Sequence, residues 1–168
     1  IVTWRPNQNI KAIKMPKDIN EIKDYLLYLK GICAPLVFLE KLSVRPDDIT
    51  QGDNGINLGK LYRIQKMMAN FEQLKAIIAV CEIPFVMVHP MKWQNELRLR
   101  EKTSRKKEDK NERKRRYKDV AGKLYPELKP TLWNADATLI MHFGRYILQN
   151  NPGWVRQNLP NTMHDRLF

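Results

Sequence analysis

The chain has 168 residues and a hydrophobic fraction of 43%, which suits one domain with a core and excludes a disordered tail. Its net charge of +12 and pI of about 9.8 predict a polyanionic partner, nucleic acid above all, because cations on phosphates release counterions. The alternative is a basic protein without such a partner. The chain has neither a run of about 18 apolar residues nor a signal peptide, so we expect a soluble protein with no membrane contact.

Short strands and one amphipathic helix are predicted for the first 40 residues. Residues 1–4 and 10–15 have the composition of two strands joined by a turn. Asp18 is a good N-cap for a helix that we expect to end at Gly31. The continuous apolar run at 36–39 is typical of a central strand that is buried on both faces.

The remaining chain alternates predicted helices with a strand. Residues 58–80 form a long helix with more apolar side chains than one face requires, so the domain itself or a partner subunit covers a second face. A strand at 83–88 follows, and further helices are predicted at 91–99 and 133–148. Residues 102–125 are either a charged helix or a partly mobile arm. This order favours an α/β layer fold with parallel strand pairs.

The segment 98–118 concentrates the positive charge, with twelve basic residues and only four acidic ones. One interpretation is a solvated helix face with ion pairs at i,i+4 spacing. Most of the cations lack an acidic neighbour at that spacing, however, which favours binding to the DNA backbone. The candidate DNA-binding residues in this segment are Lys106, Lys107, Arg113, Lys114, Arg115 and Arg116.

Two carboxylates stand at the ends of core elements. Glu40 follows a buried strand, and the carboxyl ends of parallel strands are where α/β sheets place their sites. Asp136 lies between two alanines at the start of an apolar helix. Each acid has a plain alternative, since Glu40 can simply mark a strand end and Asp136 can interact with the helix dipole. Together, beside many cations, they indicate metal-assisted cleavage of a phosphodiester.

Lys92 and Trp93 follow Pro90 at a strand-to-helix junction. Trp93 is either a structural plug of the core or a platform for stacking a base or sugar. Lys92 is a further candidate for binding DNA phosphate, although an ordinary exposed lysine explains it equally well.

Several motifs together resemble one family. These are LEK at 39–41, GKL at 59–61, IPFVMVHPMKWQ at 83–94, AGKLYP at 121–126 and ADA at 135–137. In this order they are similar to the phage and bacterial branch of RuvC-type Holliday junction resolvases. Those proteins are structure-specific endonucleases with an RNase H-like fold.

The resemblance implies an RNase H-like α/β fold of three layers with a central mixed sheet, spanning residues 1–150 and followed by a C-terminal tail at 151–168. The family's first strand, which carries an aspartate, would lie upstream of Ile1. Glu40 and Asp136 match two of the family's catalytic acids and would hold Mg²⁺ or Mn²⁺. Asn134 stands near the position where family members carry an acid or a histidine.

The implied function is a metal-dependent endodeoxyribonuclease that nicks four-way DNA junctions by two-metal hydrolysis. Two symmetric nicks require a two-fold homodimer, and the helix around 58–80 is the expected interface. The implied location is the cytoplasm of a bacterial cell or of a phage-infected host. The alternative is a non-catalytic DNA-binding protein on the same type of scaffold.

Overall fold

The computed structural model describes residues 1–5, 10–44, 49–51, 55–100 and 109–159. Helices dominate the described part of the chain. The elements, in chain order, are β1 (Val2–Thr3), β2 (Lys11–Ala12), α1 (Ile19–Ile32), β3 (Val37–Glu40), β4 (Thr50–Gln51), β5 (Gly55–Ile56), α2 (Leu58–Val80), β6 (Phe85–Val88), α3 (Pro90–Glu96), α4 (Lys110–Leu124), a 3₁₀ turn (Pro126–Leu128), α5 (Ala135–Asn150) and α6 (Pro152–Asn158).

The predicted RNase H-like fold of three layers with a central mixed sheet is wrong. The described strands form three separate two-stranded pairings, β1 with β2, β3 with β6, and β4 with β5. The physical reason is visible at the N-terminus, where β1 and β2 pair with each other through two residues each and do not join β3. Reciprocal backbone hydrogen bonds of 2.9 Å between Ile1 and Ile13 close this hairpin.

The parallel pairing of β3 with β6 confirms the prediction of parallel strands. Val37 lies opposite Phe85 and Glu40 lies opposite Val88, so both strands end at the same edge. Side chains alternate across β3. Val37 packs with the cluster that contains Ile78 of α2, whereas Phe38 packs with the larger cluster around α5. Helices therefore cover both faces of this short pair.

The helix α5 makes the closest approach to β3. Its buried residues are Ala135, Thr138, Leu139, Ile140, Phe143, Gly144 and Ile147. A Cβ atom added to Gly144 would lie 2.6 Å from Cδ2 of Phe38, so the packed ring or the helix would have to shift to admit it. The rings of Phe38 and Phe143 meet edge to face with centroids 6.5 Å apart. Glycine at 144 is thus required for this packing.

The predicted helices at 91–99, 102–125 and 133–148 correspond to α3, α4 and α5 with shifted bounds, and residues 102–108 lie outside the described residues. The prediction of a helix at 58–80 is confirmed by α2. The predicted N-cap is also confirmed, since the side chain of Asp18 accepts a hydrogen bond from the backbone of Asn20. The helix α1 continues through Gly31 and ends at Ile32. No helix in the described ranges has the length and apolarity that a bilayer crossing demands.

The predicted C-terminal tail at 151–168 begins with a helix. The helix α6 follows α5 directly, and Asn151 caps it by accepting a hydrogen bond of 3.1 Å from the backbone of Trp154. Val155 and Leu159 are buried in the same cluster as α5. A helix of seven residues is too short to show a clear 3.6-residue period, which explains why the sequence pattern did not predict it.

Replacing Gly144 by Ala should lower the free energy of unfolding by about 1–3 kcal/mol, because the new methyl group would overlap the ring of Phe38. Urea denaturation measures this change. Gly122→Ala in α4 is the matched control, since a Cβ there meets no atom within 4 Å, and alanine in a helix should stabilise by about 0.5–1 kcal/mol. Equal effects of the two substitutions would contradict the close approach of α5 to β3.

Candidate active site

Glu40 ends β3 on the side of the strand that faces α5. Phe38, two residues earlier, packs against that helix, and residues two apart on a strand share a face. The carboxylate oxygen Oε1 of Glu40 accepts a hydrogen bond of 3.0 Å from Nε1 of Trp93. The Glu40 side chain is only half-buried, so the hydrogen bond holds it in place while it remains accessible to solvent.

Trp93 is the structural plug that one of the two interpretations predicted. Its side chain is 1% exposed, which excludes it as a stacking platform for a base. The indole ring packs edge to face against Tyr117 of α4, with centroids 5.5 Å apart. Trp93 therefore packs against α4 through its ring and orients the Glu40 carboxylate through its indole nitrogen.

Asp136 is the second residue of α5 and is also half-buried. The side chain of the N-cap residue Asn134 makes no hydrogen bond to the first turn of that helix. Its side-chain oxygen instead accepts from the backbone nitrogen of Thr131 at 2.6 Å and from the Thr131 hydroxyl at 3.1 Å. Asn134 is thus engaged in shaping the preceding turn, and Asp136 is the acid at this end of α5.

The structure brings the two predicted acids close enough to repel each other. Burial raises the pKa of the Glu40 carboxyl, and the negative charge of Asp136 raises it further. The hydrogen bond from Trp93 and the charges of Arg113 and His89 act in the opposite direction. Burial likewise raises the pKa of Asp136, against the opposing charges of Lys114 and Arg113. The site therefore contains two partly desolvated carboxyl groups, and the charge of Asp136 acts on Glu40.

Two cations of α4 lie beside these carboxyl groups. The charge of Arg113 acts on both acids, and that of Lys114 acts on Asp136. The ammonium group of Lys114 also lies 5.2 Å from the centroid of the Trp133 ring. Arg113 is exposed and Lys114 is half-buried. Both cations therefore lie near the carboxyl groups and remain accessible to solvent.

The other predicted DNA-binding residues are not gathered at this point. Arg115 is exposed and Arg116 is half-buried on α4. Lys92 forms an ion pair of 3.7 Å with Glu96, and its ammonium group lies 5.7 Å from the Trp154 ring centroid. Lys106 and Lys107 lie outside the described residues.

The donor set fits one hard divalent cation better than two. Across the described ranges, no group of three or more His, Cys, Asp and Glu side chains is arranged to hold a metal. Mg²⁺ is commonly bound by one or two carboxylates, with water and substrate phosphate completing its shell. Glu40 and Asp136 are two carboxylates of this kind. The two-metal arrangement needs further ligands that the described residues do not provide.

Sequence reasoning missed the polar contacts of two tryptophans. The bond from Trp93 to Glu40 joins residues 53 positions apart, and no local pattern indicates it. Trp133 is 90% exposed beside Lys114. A tryptophan three residues before a candidate catalytic aspartate is the only sequence signal that pointed to it.

Comparison of the chain with models of known protein families and with curated proteins finds no match in either set. The resemblance to Holliday junction resolvases therefore rests on short motifs alone. The function is inferred from Glu40, Asp136 and the cations of α4.

Replacing Asp136 by Asn should stabilise the protein at about pH 8, and the gain should shrink at about pH 4. Both acids have raised pKa values in the folded state. The folded protein therefore binds these protons more tightly than the unfolded chain does, and stability is lost as the pH rises through the folded pKa. An amide cannot ionise, so the variant avoids this loss.

Urea denaturation at the two pH values measures the effect. Asp24→Asn on the exposed surface of α1 is the control, because that side chain is 72% exposed, and its substitution should change little at either pH. If Asp136→Asn is no more stable than the original protein at about pH 8, the pKa of the Asp136 carboxyl is not raised by burial as described.

Proposed function

We propose that the protein is a metal-dependent endonuclease that nicks branched DNA, such as a four-way junction, at the Glu40–Asp136 pair. The observation that carries the proposal is the convergence of two desolvated carboxyl groups from β3 and α5 beside Arg113 and Lys114 of α4. Acids bind the cation, and the neighbouring basic residues bind the phosphate that the cation activates. The net charge of +12 supports a nucleic-acid substrate.

A bound Mg²⁺ or Mn²⁺ supplies an activated water and stabilises charge on the leaving oxygen. Glu40 and Asp136 are the residues that would hold it. The hydrogen bond from Trp93 to Oε1 orients the Glu40 carboxylate. Since cation binding relieves the repulsion between the two acids, it competes with protons, and activity rises with pH through their raised pKa values. Arg113 and Lys114 would orient the scissile phosphate.

A homodimer fits this substrate, because resolving a four-way junction requires two symmetric cuts. The proposed interface is the outer face of α2. Leu58 is 75% exposed and Tyr62, one turn later on the same face, is 65% exposed, and Ile56 of β5 adds a side chain that is 61% exposed just before the start of the helix. Apolar side chains in such a cluster favour contact with another protein surface.

The second candidate is a DNA-binding protein without catalytic activity. The number of acids favours it, since the described residues offer two carboxylates at this site and no third metal-binding side chain. Asn134 does not replace the missing acid, because its side-chain oxygen already accepts hydrogen bonds from Thr131.

A nicking assay on a synthetic four-way junction separates these two functions. With Mg²⁺ or Mn²⁺ the protein should nick the junction, and Glu40→Gln and Asp136→Asn should each abolish nicking while DNA binding persists or tightens, because each change removes a negative charge facing the phosphates. Asp24→Asn is the control and should nick normally. Tight binding without nicks in either metal would establish the non-catalytic alternative, and undiminished nicking by Asp136→Asn would place catalysis elsewhere.

The salt dependence of DNA binding tests the role of α4. Arg113→Gln and Lys114→Gln should each reduce the slope of log K against log[salt] by about 1, as expected for the loss of one phosphate contact. Binding is measured with EDTA, so that effects on metal affinity do not enter. Lys23→Gln on α1 is the control and should leave the slope unchanged. An unaltered slope for both α4 variants would remove these residues from the DNA interface.

A further inference from the structure

Trp133 is the most exposed large apolar side chain in the described part of the chain, at 90%. It lies in the turn before α5, three residues from Asp136. Exposing an indole ring to water forgoes the favourable burial that a core position would give. Stability of the fold therefore does not account for its placement, and a ligand that covers the ring would.

The turn that carries Trp133 is held by specific hydrogen bonds. The backbone nitrogen of Trp133 donates to the hydroxyl of Thr131 at 3.3 Å, and the backbone of Thr131 donates to the side chain of Asn134 at 2.6 Å. The ammonium group of Lys114 lies 5.2 Å from the ring centroid. The ring is thus presented to solvent from a braced turn with a cation at its side.

An open groove of about 770 Å³ begins at the same turn, since Thr131 is one of its lining residues. Three lysines, Lys118, Lys123 and Lys129, line the groove together with a single acid, Asp119. Lys129 has a φ of 44°, a left-handed backbone conformation that is uncommon for residues other than glycine. The groove is therefore predominantly cationic, which suits a phosphate chain leading to or from Trp133.

We propose that Trp133 stacks on an unpaired nucleobase of DNA, while Lys114 and the lysine groove bind the flanking phosphates. This inference rests on the proposed function and deepens it by naming the feature of the substrate that is recognised. In an intact duplex both faces of each base are already stacked, whereas a branch point or a single strand offers a free base. The position of Trp133 next to Asp136 would bring the backbone of such a nucleotide to the carboxyl pair.

A second copy of this chain is the competing occupant of the Trp133 surface. Charge argues against it, because a two-fold contact there would bring Lys114 and the lysines of the groove against their own copies. A polyanion with exposed aromatic bases complements both the ring and the cations. The test therefore measures DNA binding and the mass of the protein in solution together.

The experiment compares binding of three DNAs in EDTA: a four-way junction with 2-aminopurine at the branch point, a single strand and an intact duplex. Trp133→Ala should weaken binding of the junction and of the single strand by about 5- to 100-fold, and should abolish the quenching of 2-aminopurine. Duplex binding should hardly change. Trp133→Phe should retain most of the affinity and the quenching, because phenylalanine also stacks. Tyr28→Ala, which removes an aromatic side chain that is 58% exposed on α1, is the matched control and should bind all three DNAs normally.

Equal weakening for all three DNAs, or undisturbed binding and quenching in Trp133→Ala, would overturn the proposal. A change of sedimentation mass in that variant would assign the surface to a second copy instead. The measurement needs no metal and no cleavage, so its outcome is independent of the nicking assay. If the protein does not nick DNA but Trp133→Ala weakens junction binding as expected, only the catalytic function is refuted. If the protein nicks DNA but Trp133→Ala leaves binding unchanged, only base stacking is refuted.

Discussion

The close contact between α5 and β3 determines where the two acids lie. Gly144 allows the helix to pack directly on Phe38, at a separation where a Cβ atom at 144 would force the ring or the helix to shift. Phe38 and Glu40 share a face of the strand, so the helix that covers Phe38 also presents Asp136 on the side of Glu40. The parallel pairing with β6 then leads into α3, which supplies the indole that holds the Glu40 carboxylate. The site follows from the packing of this core.

The arrangement of the acids is unfavourable for the protein alone. Two carboxyl groups are drawn out of water and close together, and Arg113 and Lys114 offset that cost only in part, since both pKa values remain raised. Desolvated like charges of this kind are typical of functional sites. A divalent cation turns the same geometry into a favourable one, because it replaces repulsion between two anions by attraction to a shared ion. This difference between the pair without and with a cation is the reason for proposing metal chemistry there.

Local features of the fold could be predicted, and the long-range ones could not. The apolar period of α2 and the cap at Asp18 are properties of neighbouring residues, and the sequence located both correctly. The hairpin of β1 and β2 was predicted from its local pattern, and the fold class was wrong because that hairpin does not join β3 in a larger sheet, which no local pattern indicates. Two acids at element ends were enough to nominate Glu40 and Asp136. The roles of Trp93 and Trp133 depend on burial, which no spacing in the sequence distinguishes.

A titration with Mn²⁺ tests whether Glu40 and Asp136 share a divalent cation. The free ion is measured by electron paramagnetic resonance. The account predicts that the protein without DNA binds about one Mn²⁺ per chain, displaced by Mg²⁺, and that a protein carrying both Glu40→Gln and Asp136→Asn loses this binding. Undiminished Mn²⁺ binding by the doubly substituted protein, or none by the original, would contradict it.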